Sequence, residues 1–233
     1  MTTSTLNGTT NIALSFSDEQ AMLLDSAKSF CSHKSDINAV RSLLKSDSGH
    51  NPDVWQEMVA LGWTGIAIPE QYGGFAMGLG SMVPVIESMG RHLLGTALIT
   101  STLAAQAILR GGSEAQREKW LPKIVAGTVG SMALLDNEDW GSKLCGVSAA
   151  ISSSSDSSSK IVLSGKKLLV ADATVANFFI VSINHSGNPA LAIVEASQLA
   201  ANAISANTLI DETKRAATVD FSGVTLSPDA LLP

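Results

Sequence analysis

The sequence predicts a multi-domain α and β protein: an N-terminal all-α helical bundle followed by a small antiparallel β-barrel or sandwich-like domain. Three observations carry this. Up to about residue 127 the apolar residues recur at helical spacing. Beyond it they fall into short runs separated by turn residues. The 233 residues exceed the ~100–200 typical of one domain. The expected division is 1–128 for the helical domain and 129–233 for the β domain.

The helical half reads element by element. Ser17 and Gln20 make the S-x-x-Q spacing of a capping box, and Leu23, Ala27 and Phe30 follow on one face. "NPDVWQEMVALG" is a second helix, with Asn51 as N-cap, Pro52 at the first position and Gly62 past the end. Val54, Met58 and Leu61 form its expected stripe. "GLGSMVPVIESMGRHLLG" is a third, with Pro84 tolerated in the first turn. "TALITSTLAAQAIL", 96 to 109, is a fourth and stops at Gly111-Gly112. Ser113 and Gln116 repeat the capping box before "REKWLPKIVAG". Five helical segments with short connections imply a bundle.

In the second half, "GVSAAI" and "KIVLSG" flank "SSSSDSSS". This is a hairpin pattern whose serine-rich tip reads as a solvated turn rather than a phosphorylation or binding element. "NFFIVSI" and "ALAIVEA" are apolar strands joined by "HSGNP". "AATVDFSGVTL" alternates, with Val219 and Phe221 on one face.

Composition excludes several function classes. The net charge is −6 and no run of five or more basic residues occurs, which argues against nucleic acid. The two cysteines, Cys31 and Cys145, lie far apart, and the four histidines are isolated, so no metal site is expected. A reduced, cytoplasmic protein is the expectation. The most apolar stretch, 96 to 109, is shorter than the ~20 residues a bilayer span needs and carries Thr, Ser and Gln. The opening residues are polar and do not resemble a secretory leader.

Several longer stretches are familiar. "FSDEQAMLLDSAKSF" looks like an opening helix, and "LGWTGIAIPEQYGG" carries Gly62, Trp63, Pro69, Glu70, Gly73 and Gly74 in an LGW-G…PE-x-x-GG pattern. "IESMGR" stands where an E-E-L-G type helix is expected. "GSEAQREKWLPKIVAGTVGSMAL" follows G-[ST]-x-x-Q-[KR]-x-x-[WY]-L-P-x-[LI]-x-x-G from Gly112 to Gly127. On these motifs the chain, from about Phe16 to Pro233, resembles the flavin-dependent acyl-CoA dehydrogenase family.

The resemblance implies removal of two hydrogens from the α and β carbons of an acyl-CoA thioester. A carboxylate takes the α proton, and FAD takes the β hydrogen as hydride. It also implies an electron-transfer partner and a homo- or hetero-oligomer. By resemblance, the FAD contacts fall at Ala133, Leu135, Gly141, Ser142, Leu169 and Ala171. The chain departs from the family there. "ALLDNEDWGSK" has Leu135 at an expected hydroxyl position, Asp136 for Glu, Asn137 for Pro, one extra residue before Gly141-Ser142, and Lys143 for Asp. "SGKKLLVAD" keeps Gly165 and Lys167 but has Leu169 for an aromatic, Ala171 for a hydroxyl and Asp172 for Asn. Each lost hydroxyl bond is worth ~0.5–1.5 kcal/mol, so flavin affinity is expected to fall by one to two orders of magnitude unless main-chain groups or Ser142 compensate.

The family continues into a second helical domain that supplies the catalytic carboxylate, and the expectation is that this C-terminal domain is absent here. Asp136, Glu138, Asp139 and Glu70 do not stand where the family keeps its base, so no catalytic residue is assigned. By resemblance, substrate contacts fall at Tyr72, Gly73 and Gly74, which otherwise form a plain turn, and at Lys214 and Arg215 facing CoA phosphates, which otherwise are a solvated pair at a strand end. Ala104, Ala105 and Ala107 either widen the acyl pocket or serve ordinary core packing. Trp140 either caps the flavin site or packs between domains. Three functions remain open: part of an acyl-CoA dehydrogenase, a non-catalytic partner subunit of a hetero-oligomeric one, or a CoA-ester-binding module without redox role.

Overall fold

The computed structural model describes residues 16–136, 145–152 and 160–233. Helix α1 (Asp18–Lys34) starts with the expected capping box: the Ser17 hydroxyl accepts the Gln20 N–H, and the Gln20 side chain accepts the Ser17 N–H. Helix α2 (Ile37–Leu44) was not anticipated. Asp36 caps it by accepting the N–H groups of Asn38 and Ala39. Ile37, Val40 and Leu44 recur at helical spacing, but eight residues span little more than two turns, and only Val40 is buried. Helix α3 (Pro52–Ala60) has the expected Asn51 cap, with Val54, Trp55 and Met58 buried. Leu61 falls at its C-cap and is exposed, so the expected stripe is buried only at Val54 and Met58.

A short 3₁₀ turn, Leu79–Met82, leads into α4 (Val83–Arg91). Helices α5 (Leu98–Gly111) and α6 (Glu114–Val125) follow, and Ser113 and Gln116 form the second capping box. The exit from α6 is held by two side chains. Thr64 Oγ1 donates to Val125 O at 2.8 Å, and the Trp55 indole donates to Gly127 O at 2.9 Å. Gly127 turns the chain with φ 97°, a left-handed conformation that favours glycine.

Among the described residues nine strands follow: β1 (Gly130–Ala133), β2 (Ser148–Ser152), β3 (Lys160–Ser164), β4 (Lys166–Ala171), β5 (Phe178–His185), β6 (Asn188–Glu195), β7 (Ile204–Ala206), β8 (Ala216–Asp220) and β9 (Thr225–Leu226). They form a six-stranded sheet, in order β1-β5-β2-β3-β9 with β6 on β5, and a three-stranded sheet β4-β8-β7. The β2–β3 hairpin has the expected pairing, from Ser148↔Ser164 to Ser152↔Lys160, and its serine tip lies outside the described residues. Ser186 and Gly187, both with positive φ, make the tight β5–β6 turn.

The expectation of antiparallel pairing is corrected at one strand. β5 runs parallel to β1 over Gly130↔Phe178 to Ala133↔Val181, and parallel to β2 at Ser148↔Asn184 and Ala149↔His185. β1 and β2 therefore lie end to end along a single edge of β5. The chain leaves that edge after Ala133 and rejoins it at Ser148, in the same direction, so both pairings are parallel.

β5 is buried on both faces, which explains its unbroken apolar run. Phe179, Val181 and Ile183 face Val219 and Phe221 in the interior shared by the two sheets. Phe178 and Ile180 face Trp120, Leu121 and Ile108 of the helices. Burying a Phe side chain contributes ~1.5–3 kcal/mol, so Phe178 and Phe179 tie both layers to one strand. The small residues of α5 serve this contact. Ala104 and Ala105 are buried, and a Cβ added at Gly130 would lie 2.7 Å from the Ala104 Cβ. Helix and strand thus approach closely, and these alanines act in packing.

Candidate functional site

The end of β1 meets β4 next to a gap in the sheet edge. β1 ends opposite Val181 and β2 begins opposite Asn184, which leaves Ser182 and Ile183 without a strand on that side. Lys167, fully buried, fills the place. Its ammonium donates to the Asp136 carboxylate, to Ser182 Oγ at 2.8 Å and to Leu134 O at 3.3 Å. Ser182 Oγ also donates to Leu134 O at 3.1 Å. All three ammonium hydrogens have partners, as a buried cation requires.

Next to this lock the backbone is unusual. β4 changes register against β8 between Lys167 and Val170, and Leu169 has φ 49°. The Leu168 N–H donates to Leu135 O at 2.7 Å. The bulge turns Leu169 outward. Leu169 and Leu134 are each half exposed, at 50% and 49%. Ala171 is exposed beyond them, with its carbonyl accepting from Ser131 Oγ at 2.6 Å. The result is an apolar surface on the β domain beside α5.

A cavity of about 210 Å³ opens where α5 meets the β domain, lined among others by His50, Thr96, Ile99, Thr100, Ala171, Asp172 and Lys214. Asp172 lies at the strand end with φ 53°, and its Oδ2 accepts from Thr100 Oγ1 at 3.0 Å. Burial raises its carboxyl above the usual carboxylate range, while the Thr100 bond and the nearby Lys214 charge pull the other way. Burial lowers the His50 imidazole below its usual value. His50 Nδ1 and Thr96 Oγ1 are both buried without a hydrogen-bond partner.

The anticipated residues divide as follows. Leu169 and Ala171 lie on the apolar surface. Leu135 is partly buried, and its carbonyl is taken by Leu168. Ala133 is fully buried, so its side chain belongs to the core. Gly141, Ser142 and Trp140 lie outside the described residues. Lys214 is exposed and lines the cavity.

Arg215 is committed to structure. Its guanidinium donates to the carbonyls of Leu43, Leu44 and Ser46 at 3.1, 3.2 and 3.0 Å, closing the C-terminus of α2. Tyr72 is buried beside Trp120, and its hydroxyl donates to Glu114 Oε1 at 2.7 Å. Gly73, at φ 84°, and Gly74, packed on the Ile68 carbonyl, form the turn after it.

Sequence reasoning missed His50, Thr96, Thr100 and Asp172 as a group. The sequence offered no local signal for the group, because Thr96 precedes the Ala97 N-cap of α5 and shares no helix face with Thr100.

A comparison of sequences and structures agrees with this architecture. Residues 17–128 match the model for the acyl-CoA dehydrogenase N-terminal domain. The chain is 35% identical over 94 residues to (2S)-methylsuccinyl-CoA dehydrogenase of Cereibacter sphaeroides, covering 40% of this chain and 17% of that protein. It is 28% identical over 171 residues to a probable short/branched chain specific acyl-CoA dehydrogenase of Dictyostelium discoideum, covering 72% and 40%. Among solved structures, the Tcur3481-Tcur3483 steroid ACAD superposes with TM-score 0.76 at 28% identity, covering 91% of this chain and 58% of that one. Butyryl-CoA dehydrogenase of Megasphaera elsdenii shares the fold, with TM-score 0.72 at 22% identity and coverage of 94% and 59%.

The fold is thus that of the helical and β parts of an acyl-CoA dehydrogenase. The chain belongs to the acyl-CoA dehydrogenase family. Its matches span well under half the length of the curated relatives named here.

Proposed function

We propose that this chain forms the helical and middle β parts of an FAD-dependent oxidoreductase that acts in the α,β-dehydrogenation of an acyl-CoA thioester. The observation that carries the reading is the juxtaposition of an exposed apolar surface, Leu134 and Leu169, with the cavity under Ile99 and Thr100. A flat ring fits against the leucines, and an acyl group fits the cavity beside it. When bound, FAD supplies the hydride acceptor of this reaction.

The residues present fit the apolar side of a flavin and give its polar edge little. Leu135 and Ala171 bring no hydroxyl, and the Leu135 carbonyl is already engaged. Main-chain groups, and Gly141 and Ser142 of the intervening loop, complete the FAD site in this reading. Lys167 is a positioning residue: its bonds to Leu134 O and Asp136 hold the end of β1 against β4. Lys214 offers a point charge to a CoA phosphate. Tyr72, Gly73 and Gly74 shape the helical wall rather than touch the thioester.

No base is assigned among the described residues. Asp136 is engaged by Lys167, and Asp172 by Thr100. A cytoplasmic location, a role in lipid metabolism, an electron-transfer partner and assembly into a homo- or hetero-oligomer accompany the proposal. Among the described residues no helix is long and apolar enough to cross a membrane.

The lost hydroxyls at Leu135 and Ala171 favour a second reading, in which the chain is the non-catalytic subunit of an unlike pair. Native mass spectrometry of the purified chain with FAD and butyryl-CoA separates these readings. A ternary complex supports the first. A CoA-ester complex without flavin supports a binding module. Binding of neither ligand overturns the first reading and leaves the second, which needs its partner chain.

A further inference from the structure

We infer that Arg215 sets the size limit of the cavity at the domain junction: it fastens the loop 207–215 onto the helical domain as one wall, and so confines the site to short acyl groups. The inference rests on the proposed acyl-CoA reading and names the substrate class for it.

The cavity lies between two walls. The helical domain supplies one, through Gly49, Gly95 and Ile99 among others, and the β domain supplies the other, through Leu209, Thr213 and Arg215. The second wall is the loop from β7 to β8. None of residues 207–215 is buried, and Ile210 is fully exposed. Apolar burial therefore contributes little to the loop's position, and a segment with few buried contacts opens readily.

Hydrogen bonds hold the loop instead. Among the described residues, its bonds to the helical domain all come from Arg215. One terminal nitrogen donates to the carbonyls of Leu43, Leu44 and Ser46 at the end of α2. The other donates to the Glu212 and Lys214 carbonyls of the loop itself. A cation is favoured at a helix C-terminus, and charge-assisted bonds are the stronger kind. Two glycines set how near the loop comes. A Cβ at Gly49 would lie 2.9 Å from Arg215 Cγ, and one at Gly95 would lie 2.9 Å from Thr213 O. The wall is pressed against the helical domain at both glycines and clamped there by one side chain.

At about 210 Å³ the enclosed space is smaller than the ~300–1,000 Å³ of pockets that hold drug-sized ligands, so it fits a short chain. A longer acyl group enters only if the loop gives way, and that breaks the Arg215 bonds. Arg215 is thus a positioning residue, acting through the wall rather than on the thioester.

Affinities of butyryl-CoA and decanoyl-CoA for the chain provide the test, together with the matching N-acetylcysteamine thioesters, which lack the nucleotide. The unmodified chain should bind the butyryl ester at least as tightly as the decanoyl ester in both series. Arg215→Ala should raise the decanoyl-to-butyryl affinity ratio by at least ~tenfold, the worth of about two further methylenes buried. Arg215→Lys keeps a charge at the end of α2 and covers the case in which the alanine variant misfolds. Its ratio should rise too, by less. Thr64→Val loses the bond to Val125 O away from the cavity, and should leave the ratio where it is, since instability alone does not favour the longer ester.

Tighter binding of the decanoyl ester by the unmodified chain overturns the inference, and so does a ratio that stays unchanged in a folded Arg215 variant. A preference for the shorter nucleotide-free ester with no gain from CoA upholds the size limit and overturns the CoA reading alone. CoA esters bound more tightly as the chain lengthens do the reverse. Failure of every ester to bind overturns both.

Discussion

Lys167 and Asp136 form an ion pair at the point where β1 leaves the central sheet, with Lys167 fully buried and the Asp136 side chain 16% exposed. The pair substitutes for a missing stretch of strand beside Ser182. Removing the lysine would strand a largely buried carboxylate. Lys167→Ala should therefore destabilise the chain by ~3–5 kcal/mol, and Asp136→Asn by less, because an amide oxygen still accepts. Urea unfolding of the two variants and the double variant checks this, with the double expected to cost less than the sum.

Arg215 joins the β domain to the helical one by capping three carbonyls of the α2 end. Arg215→Ala should lower stability by ~1.5–3 kcal/mol, and Arg215→Lys should restore only part, because an ammonium lacks the fork. Amide hydrogen exchange should quicken in α2 first.

The paired glycines after Tyr72 make a contrast. A Cβ at Gly74 would lie 2.1 Å from the Ile68 carbonyl oxygen, whereas at Gly73 it would meet open space in a left-handed backbone at φ 84°. Gly73→Ala should cost about 1 kcal/mol. Gly74→Ala should cost more, since backbone has to move. Thermal unfolding of the two variants gives the order.

Stability should respond to pH in opposite senses at the two buried titratable groups of the cavity. His50 has its folded value lowered below 6.5 by burial, so the unfolded chain binds its proton more tightly. Its contribution is complete above about pH 6.5 and is lost as pH falls through the lowered value. Asp172 is raised from 3.8 by burial, so the folded chain binds its proton more tightly. That contribution is present at low pH and lost as pH rises through the raised value. Asp172→Asn should therefore gain stability over the parent at neutral pH and lose that advantage near pH 4. Denaturant midpoints across this range measure both effects.

Much of the fold was legible in local chemistry. Both S-x-x-Q capping boxes and the Asn51-Pro52 start mark helices through hydrogen bonds that residues three apart make alone. Val219 and Phe221 both reach the β core, as alternation implied. Helix α2 was overlooked because its i, i+3, i+7 pattern of Ile37, Val40 and Leu44 runs for only eight residues, shorter than the window in which helical spacing stands out. The parallel pairing of β5 depends on where the chain returns after the loop, which no local pattern encodes. At the site, the resemblance led to Leu169 and Ala171, which lie on the exposed surface. It did not lead to the cavity, because His50, Thr96 and Asp172 are brought together only by the packing of the two domains. The resemblance made Arg215 a phosphate ligand, yet its guanidinium is spent on the carbonyls of Leu43, Leu44 and Ser46, which sequence distance conceals.

The central claim, that Leu134 and Leu169 form the face of a flavin site lacking its hydroxyls, is tested most directly by an FAD fluorescence titration. The unmodified chain is compared with the Leu135→Thr/Ala171→Thr double variant. Two restored hydrogen bonds of ~0.5–1.5 kcal/mol each should tighten FAD binding by roughly ten- to hundredfold. An unchanged affinity in a correctly folded double variant would contradict the claim and place any flavin elsewhere on the chain.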